Sequence, residues 1–233
     1  MPSTPVSFSL VPRIKVCGVC HLADLDVLAS AGVDSVGINF VPSSSRCVEP
    51  AQAVKLSARA AELGLLRIAV VMNFSAGQLH ELLGRVEVDW VQLHGIEPPA
   101  IADACGGLPI LKVTSWTGRR QESELVNAWS RSASTGQLRA WLVDAYAPTA
   151  GGGTGRVARW DLLRPRPAAF GNLPLILAGG LVPNNVAEAI AASAADGVDT
   201  ASGVELAPGL KSPKLVREFA AAASLAFSQR SSG

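Results

Sequence analysis

Aromatic side chains make up only 5% of the 233 residues, although hydrophobic residues reach 48%. The interior must therefore be built from Ala, Val, Leu and Ile. There is no excess of charge: 20 Lys and Arg against 19 Asp and Glu leave a formal net charge of +1, with no basic block. That balance argues against nucleic acid as the main partner. No apolar run approaches the roughly 18 residues that cross a membrane, so no membrane partner is expected. Residues 1–12 lack a basic leader and a sustained apolar region, and read as an N-terminal tail rather than a signal peptide. Four cysteines in a chain this large do not make a disulfide scaffold, which leaves a reducing cytoplasm as the default location.

What is present is an alternation. Short apolar runs at Arg13–Cys17, Asp34–Val41, Leu66–Asn73, Val88–Leu93, Pro109–Thr114 and Arg139–Ala145 read as strands. Between them lie helical patterns at Leu22–Ala31, Ala51–Leu63, Ser75–Leu83, Glu97–Cys105 and Gln121–Ala133. Two further strands lie in the stretch Leu175–Glu205, each breaking at small residues, and a helix from about Ser212 to Phe227 closes the chain. Eight such units with near-continuous apolar strands predict an α/β fold with a parallel sheet buried on both faces. A (β/α)8 barrel over residues 13–230, forming one domain, fits that count. The open doubly wound alternative would more often carry G-x-G-x-x-G after its first strand, and none is here.

In such a barrel the chemistry sits at the C-terminal ends of the strands. The polar groups there are few: Cys17, Asn39, Asn73, Gln92 with His94, Thr114, Asp144, and Asp199 with Ser202. A thiol on one strand end and a carboxyl on another form a candidate base and acid pair. The thiol needs nearby positive potential, which Lys15 or a helix start would supply. Arg46, in the loop after the second strand, is a candidate for holding a carboxylate through its fork, or else a solvated loop charge. Gly180 and Ser202-Gly203 expose backbone N–H groups after strands seven and eight, a frequent phosphate site in these barrels. A phosphorylated small-molecule substrate is the partner they suggest. The run G-G-G-T-G from Gly151, which includes Gly153, reads as a flap over substrate or as a plain linker. Cys17-Gly-Val-Cys20 is a CxxC without a second pair, so a metal or redox role is disfavoured. His21 and His80 read as surface residues.

Seven segments together resemble the phosphoribosylanthranilate isomerase family of tryptophan biosynthesis. They are K-V-C-G-V at Lys15, S-S-R-C-V-E-P at Ser44, V-Q-L-H-G at Val91, L-V-D-A at Leu142, G-G-T-G-R at Gly152, L-A-G-G-L-V-P-N-N-V at Leu177, and V-D-T-A-S-G-V-E with P-G-L-K after it. They occur in the family's order and span Arg13 to about Phe219. The resemblance implies an Amadori rearrangement that needs no cofactor or metal, in a monomer or homodimer. It matches Cys17 to the general base, Asp144 to the general acid, and Arg46 to the arginine that grips the anthranilate carboxylate. It puts the phosphate on the amides near Gly180 and Ser202-Gly203, and places Gln92 and His94 at the barrel mouth without fixing their roles. Gly153 and Asp199 fall within matched segments and join the expected substrate-binding set.

The chain departs from the family at Asn39, usually apolar, at Cys47, usually aromatic, and at Thr200-Ala201, more often Val-Ser. It reads A-V-V-M-N where G-V-F-V-N is usual, and Ser212 stands where an acidic residue is common. These differences leave room for a specialised phosphosugar isomerase with an altered aromatic substrate, or a non-catalytic phosphosugar-binding paralogue. Indole-glycerol-phosphate synthase, a related barrel, leans on mouth lysines and glutamate. Only Lys15 and Lys112 are comparable here.

Overall fold

Eight short strands follow one another in the chain: Ile14–Cys17 (β1), Ser35–Asn39 (β2), Leu66–Val71 (β3), Trp90–Leu93 (β4), Ile110–Ser115 (β5), Leu138–Asp144 (β6), Leu175–Ala178 (β7) and Gly197–Thr200 (β8). Each pairs in parallel with the next, and β8 returns to β1 to close a barrel. The structure, a computed structural model, describes residues 11–132, 136–144 and 160–231. The expected (β/α)8 architecture is present.

Closure puts alternate side chains inside and outside the ring. Outside, Val16, Ile38, Ala69, Val91, Trp141, Leu177 and Val198 join one large apolar cluster with the helices. Inside, Ile68, Trp90, Leu111, Val113, Ala140, Leu142, Ile176 and Ala178 form a second cluster, all from β3 to β7. The remaining sector of the interior is polar. Lys15 stands opposite Asp199 across the β1–β8 seam and is fully buried.

The helices are Leu22–Ser30 (α1), Pro50–Glu62 (α2), Ala76–Arg85 (α3), Arg120–Ser132 (α4), Val186–Ser193 (α5) and Pro213–Ser231 (α6). Pro50 occupies the first turn of α2, where its missing N–H costs nothing. Ser75 and Gln78 form a capping box ahead of α3. None of the described helices is long and apolar enough to cross a membrane.

Two segments differ from the sequence reading. The helix expected over Glu97–Cys105 is a 3₁₀ segment, Pro99–Cys105. Glu97 does not start it, because Pro98 follows and disfavours a helical backbone at the preceding residue, and the Glu97 carboxylate instead binds Lys112 and the amides of Asn73 and Gly95. After β8 the chain also forms a small antiparallel hairpin that the sequence reading lacked, Glu205–Ala207 (β9) with Leu210–Lys211 (β10).

Candidate active site

The C-terminal ends of the strands surround a cavity of about 290 Å³. Cys17 from β1, Gln92 from β4, Asp144 from β6 and Asp199 from β8 line it, with His94 just beyond β4. Three loop residues complete the lining: Arg46 before α2, Gly180 after β7 and Ser202 after β8. Eight of the ten expected site residues therefore share one space. Gly203 packs beside it. Gly153 and the rest of the G-G-G-T-G run lie outside the described residues, as does most of the N-terminal tail.

Cys17 meets the cation that the sequence reading asked for. Lys15 is two residues back along β1, so its side chain points to the same interior face. Its Nζ lies 2.9 Å from Asp199 Oδ1, and its charge acts on the Cys17 thiol beside it. Burial pushes the Cys17 pKa above its ordinary value, while the Lys15 charge pulls against that rise. For Lys15 burial opposes the ammonium, but Asp199 and Cys17 outweigh it and hold its pKa above the usual value. Among the described residues no group of three or more His, Cys, Asp or Glu side chains could hold a metal ion. Cys20, the second member of the CxxC, points its thiol at the carbonyls of Gly18 and Arg46.

On the opposite wall Gln92 Nε2 lies 3.1 Å from His94 Nδ1, which fixes the imidazole at the rim. The crowded mouth holds the His94 pKa below the ordinary histidine value, with the Asp144 charge acting the other way. The rim beneath is cross-braced by hydrogen bonds. Asn73 Oδ1 accepts the amide of Ile96 at 2.8 Å, and Glu97 accepts the amides of Asn73 at 2.8 Å and Gly95 at 3.0 Å. Lys112 donates to Glu97 at 3.0 Å and to the Gly95 carbonyl at 2.7 Å. Its neighbours Leu111 and Val113 fill the interior, so Lys112 faces outward, near the Trp129 ring. Asn73 and Lys112 thus serve the scaffold, and Lys112 is not a mouth lysine.

Arg46 is held by a carboxylate that the sequence reading did not single out. Its Nε and Nη2 donate to Glu205 at 2.8 and 2.6 Å. Lys211 donates to the same Glu205 at 2.8 Å and to the Cys17 carbonyl at 2.6 Å. Both partners come from the β9–β10 hairpin. The Pro-Gly pair between two short runs, E-L-A and L-K, is the sequence signal that marks that turn.

The loops after β7 and β8 are locked to each other. Thr200 Oγ1 donates to the Leu181 carbonyl at 2.8 Å. Gly203 approaches the same carbonyl so closely that a Cβ there would collide with it. Asn185 braces the β7 loop further, accepting the Val182 amide at 2.8 Å and donating to the Gly180 carbonyl at 3.0 Å.

This geometry can be set beside known proteins. A family model described as "PRAI: N-(5'phosphoribosyl)anthranilate (PRA) isomerase" matches residues 14–222. The chain belongs to the phosphoribosylanthranilate isomerase family. It is 39% identical to the N-(5'-phosphoribosyl)anthranilate isomerase of Ruegeria sp. (strain TM1040), over 91% of this chain and 97% of that protein. Its fold is similar to crystallised phosphoribosylanthranilate isomerase from Thermotoga maritima, with 29% identity, a TM-score of 0.78, and coverage of 92% and 99% of the two chains. A second similar structure is phosphoribosylanthranilate isomerase in complex with reduced 1-(o-carboxyphenylamino)-1-deoxyribulose 5-phosphate, with 27% identity, a TM-score of 0.75 and the same coverage.

Within the isomerase family frame, two departures acquire structural reasons. Asn39 accepts the Val41 amide at 2.8 Å and donates to Ser44 Oγ at 3.2 Å, and Ser44 Oγ in turn accepts the Arg46 amide at 3.1 Å. Asn39 therefore shapes the loop that carries Arg46. The Thr200 hydroxyl is spent on Leu181 and adds no free donor to the cavity.

Proposed function

We propose that the chain catalyses the Amadori rearrangement of N-(5-phosphoribosyl)anthranilate to 1-(o-carboxyphenylamino)-1-deoxyribulose 5-phosphate, a step of tryptophan biosynthesis. Cys17 is the general base and Asp144 the general acid. The observation that carries this reading is the joint placement of Cys17, Asp144, Arg46 and the β7 and β8 loops around one cavity, in a member of this family.

Asp144 protonates the furanose ring oxygen and the C1–O bond breaks. The anthranilate nitrogen supplies the electron pair, giving an iminium ion. That cation acidifies the C2 proton, which the Cys17 thiolate removes, and the resulting enolamine tautomerises to the 2-ketone. No electrons leave the substrate, so the step needs no redox partner. Lys15 supports the thiolate against the desolvation that raises its pKa. Arg46 faces the anthranilate carboxylate with its free N–H groups, and Asp199 and His94 face the sugar. The amides near Gly180, Ser202 and Gly203 take the phosphate, remote from the reacting carbons, so its binding energy orients the sugar.

The test is a fluorescence assay of substrate turnover in EDTA, with Cys17→Ala and Asp144→Asn beside the parent. Both variants should lose about 10²- to 10⁴-fold in kcat, the usual worth of a positioned acid or base. Undiminished turnover in either variant removes that residue from its role. An inert parent that still binds the reduced product analogue would make the chain a binding protein or an enzyme for another amine.

A further inference from the structure

Arg46 faces the cavity from a side chain only 23% exposed, whereas Glu205 behind it is 4% exposed. Glu205 engages the Nε and Nη2 edge of the guanidinium. Arginine has five N–H donors, and this contact uses two of them. The remaining edge, Nη1 with the second hydrogen of Nη2, has no hydrogen-bond partner among the described residues. That end-on edge has the spacing to receive a carboxylate through two parallel bonds. The Arg46 stem is confined as well. It crosses Gly18, which has φ +71°, and any Cβ at that position would collide with Arg46 Cδ.

Charge is the second part of the argument. An Arg–Glu pair alone is neutral and would attract an incoming anion weakly. Here Glu205 also takes Lys211 at 2.8 Å and the Gly209 amide at 3.2 Å. Arg46, Glu205 and Lys211 together sum to a net positive charge, which the Asp24 carboxylate, accepting the Lys211 amide at 3.4 Å, offsets in part on the side of Lys211. Lys211 is otherwise committed to the carbonyls of Cys17 and Ala201, at 2.6 and 3.3 Å, so only the Arg46 edge is free to present that charge. Burial works against the Glu205 carboxylate, but Arg46 and then Lys211 hold its pKa below the usual value. The Glu205 carboxylate is therefore ionised at neutral pH and available to the Arg46 fork.

We infer that Glu205 is a positioning residue that sets selectivity for an aromatic amine bearing an ortho-carboxylate, by fixing the Arg46 fork with its end-on edge toward the cavity. Lys211 keeps that fork electropositive and fastens it to the end of β1. This inference rests on the reading that Arg46 meets the anthranilate carboxylate, and the experiment separates the two.

Two ligands are titrated: reduced 1-(o-carboxyphenylamino)-1-deoxyribulose 5-phosphate and its phenylamino counterpart lacking the carboxylate. The ratio of their affinities is measured in the parent, Arg46→Gln, Glu205→Gln and Glu205→Asp. Each ratio comes from one preparation, so an unfolded fraction affects both ligands alike and cancels. The expected result is a parent preference of about tenfold or more for the carboxylated ligand, as for hydrogen bonds between charged groups. Arg46→Gln should abolish it. Both Glu205 variants should lose most of it, while affinity for the phenylamino ligand stays within about threefold of the parent. Full preference in both Glu205 variants, with loss in Arg46→Gln, would overturn the role of Glu205 and leave the Arg46 reading standing. Full preference in Arg46→Gln would overturn both.

Discussion

Lys15 Nζ lies 2.9 Å from Asp199 Oδ1 inside the barrel, and the same ammonium draws the Cys17 pKa down against burial. Because Asp199 holds the Lys15 pKa above its ordinary value, the ammonium stays charged while Cys17 titrates. Replacing Lys15 by Met removes the largest influence that opposes burial at the thiol. The pH midpoint for iodoacetamide alkylation of Cys17 should then rise by about one pH unit or more. The ascending limb of kcat/KM should move to higher pH with it, since the thiolate is the form that accepts the proton. Peptide mass spectrometry across a pH series measures the first, and steady-state kinetics the second. An unchanged alkylation midpoint would relieve Lys15 of this role.

The other cysteines provide an internal control for that experiment. Cys47 is exposed and should react first. Burial pushes the Cys105 thiol up to about 12, so Cys105 should stay unlabelled near neutral pH until the protein is unfolded with guanidinium. Early labelling of Cys105 in the folded protein would contradict its packing in the core.

Gly203→Ala places a methyl group against the Leu181 carbonyl. Backbone on both sides leaves little room to yield, and overpacking of this kind costs about 1–3 kcal/mol. The loops after β7 and β8 should separate. KM for the phosphorylated substrate should rise by about tenfold, with a smaller fall in kcat. Thermal unfolding followed beside the kinetics distinguishes a local opening from general loss of stability. A parent-like KM would mean that the two loops need not be held together to bind substrate.

Glu97 and Lys112 form a buried pair under the His94 rim, with side chains 2% and 0% exposed. Burial pulls Lys112 below the usual ammonium value. For Glu97 burial acts upward, but Lys112 and the surrounding amides bring its pKa below the ordinary 4.5. A carboxylate with a depressed folded-state pKa stabilises the protein above its unfolded value. That contribution disappears as pH falls through the depressed one. Glu97→Gln strands the Lys112 charge and should cost about 3 to 5 kcal/mol at neutral pH, by the usual penalty for breaking a buried pair. Its stability should also vary less with pH than the parent's in the acid range. Urea titrations at pH 7 and across that range provide both readings, and equal stability at pH 7 would refute the assignment.

The barrel and its mouth were legible because strand periodicity and strand ends are local properties of the chain. Cys17, Asp144 and Gln92 could be placed from the last residues of apolar runs alone. Arg46 could be singled out but not oriented, since its partner Glu205 is 159 residues away. An even longer separation, 194 residues, conceals the bond from Lys211 to the Cys17 carbonyl. Asn73 illustrates the opposite error. A polar strand end looks functional from sequence, and only the folded rim reveals that its side chain is engaged by Ile96. The segment after Glu97 has the composition of a helix, but Pro98 and Pro99 shift its start and leave a 3₁₀ segment.

The seam between β1 and β8 makes the order of assembly matter. Three bonds, from Lys15 to Asp199, from Arg46 to Glu205 and from Lys211 to the Cys17 carbonyl, each join the first fifty residues to the last thirty-five. A partly folded chain that lacks its last strand and hairpin would hold the thiol without its charged support and the arginine without its aim. Catalytic competence therefore depends on contacts of the longest sequence separation, the ones whose loop-closure entropy is greatest. Recovery of turnover after dilution from denaturant should accordingly lag behind recovery of helical signal, and a chain interrupted before β8 would have no active fragment to release.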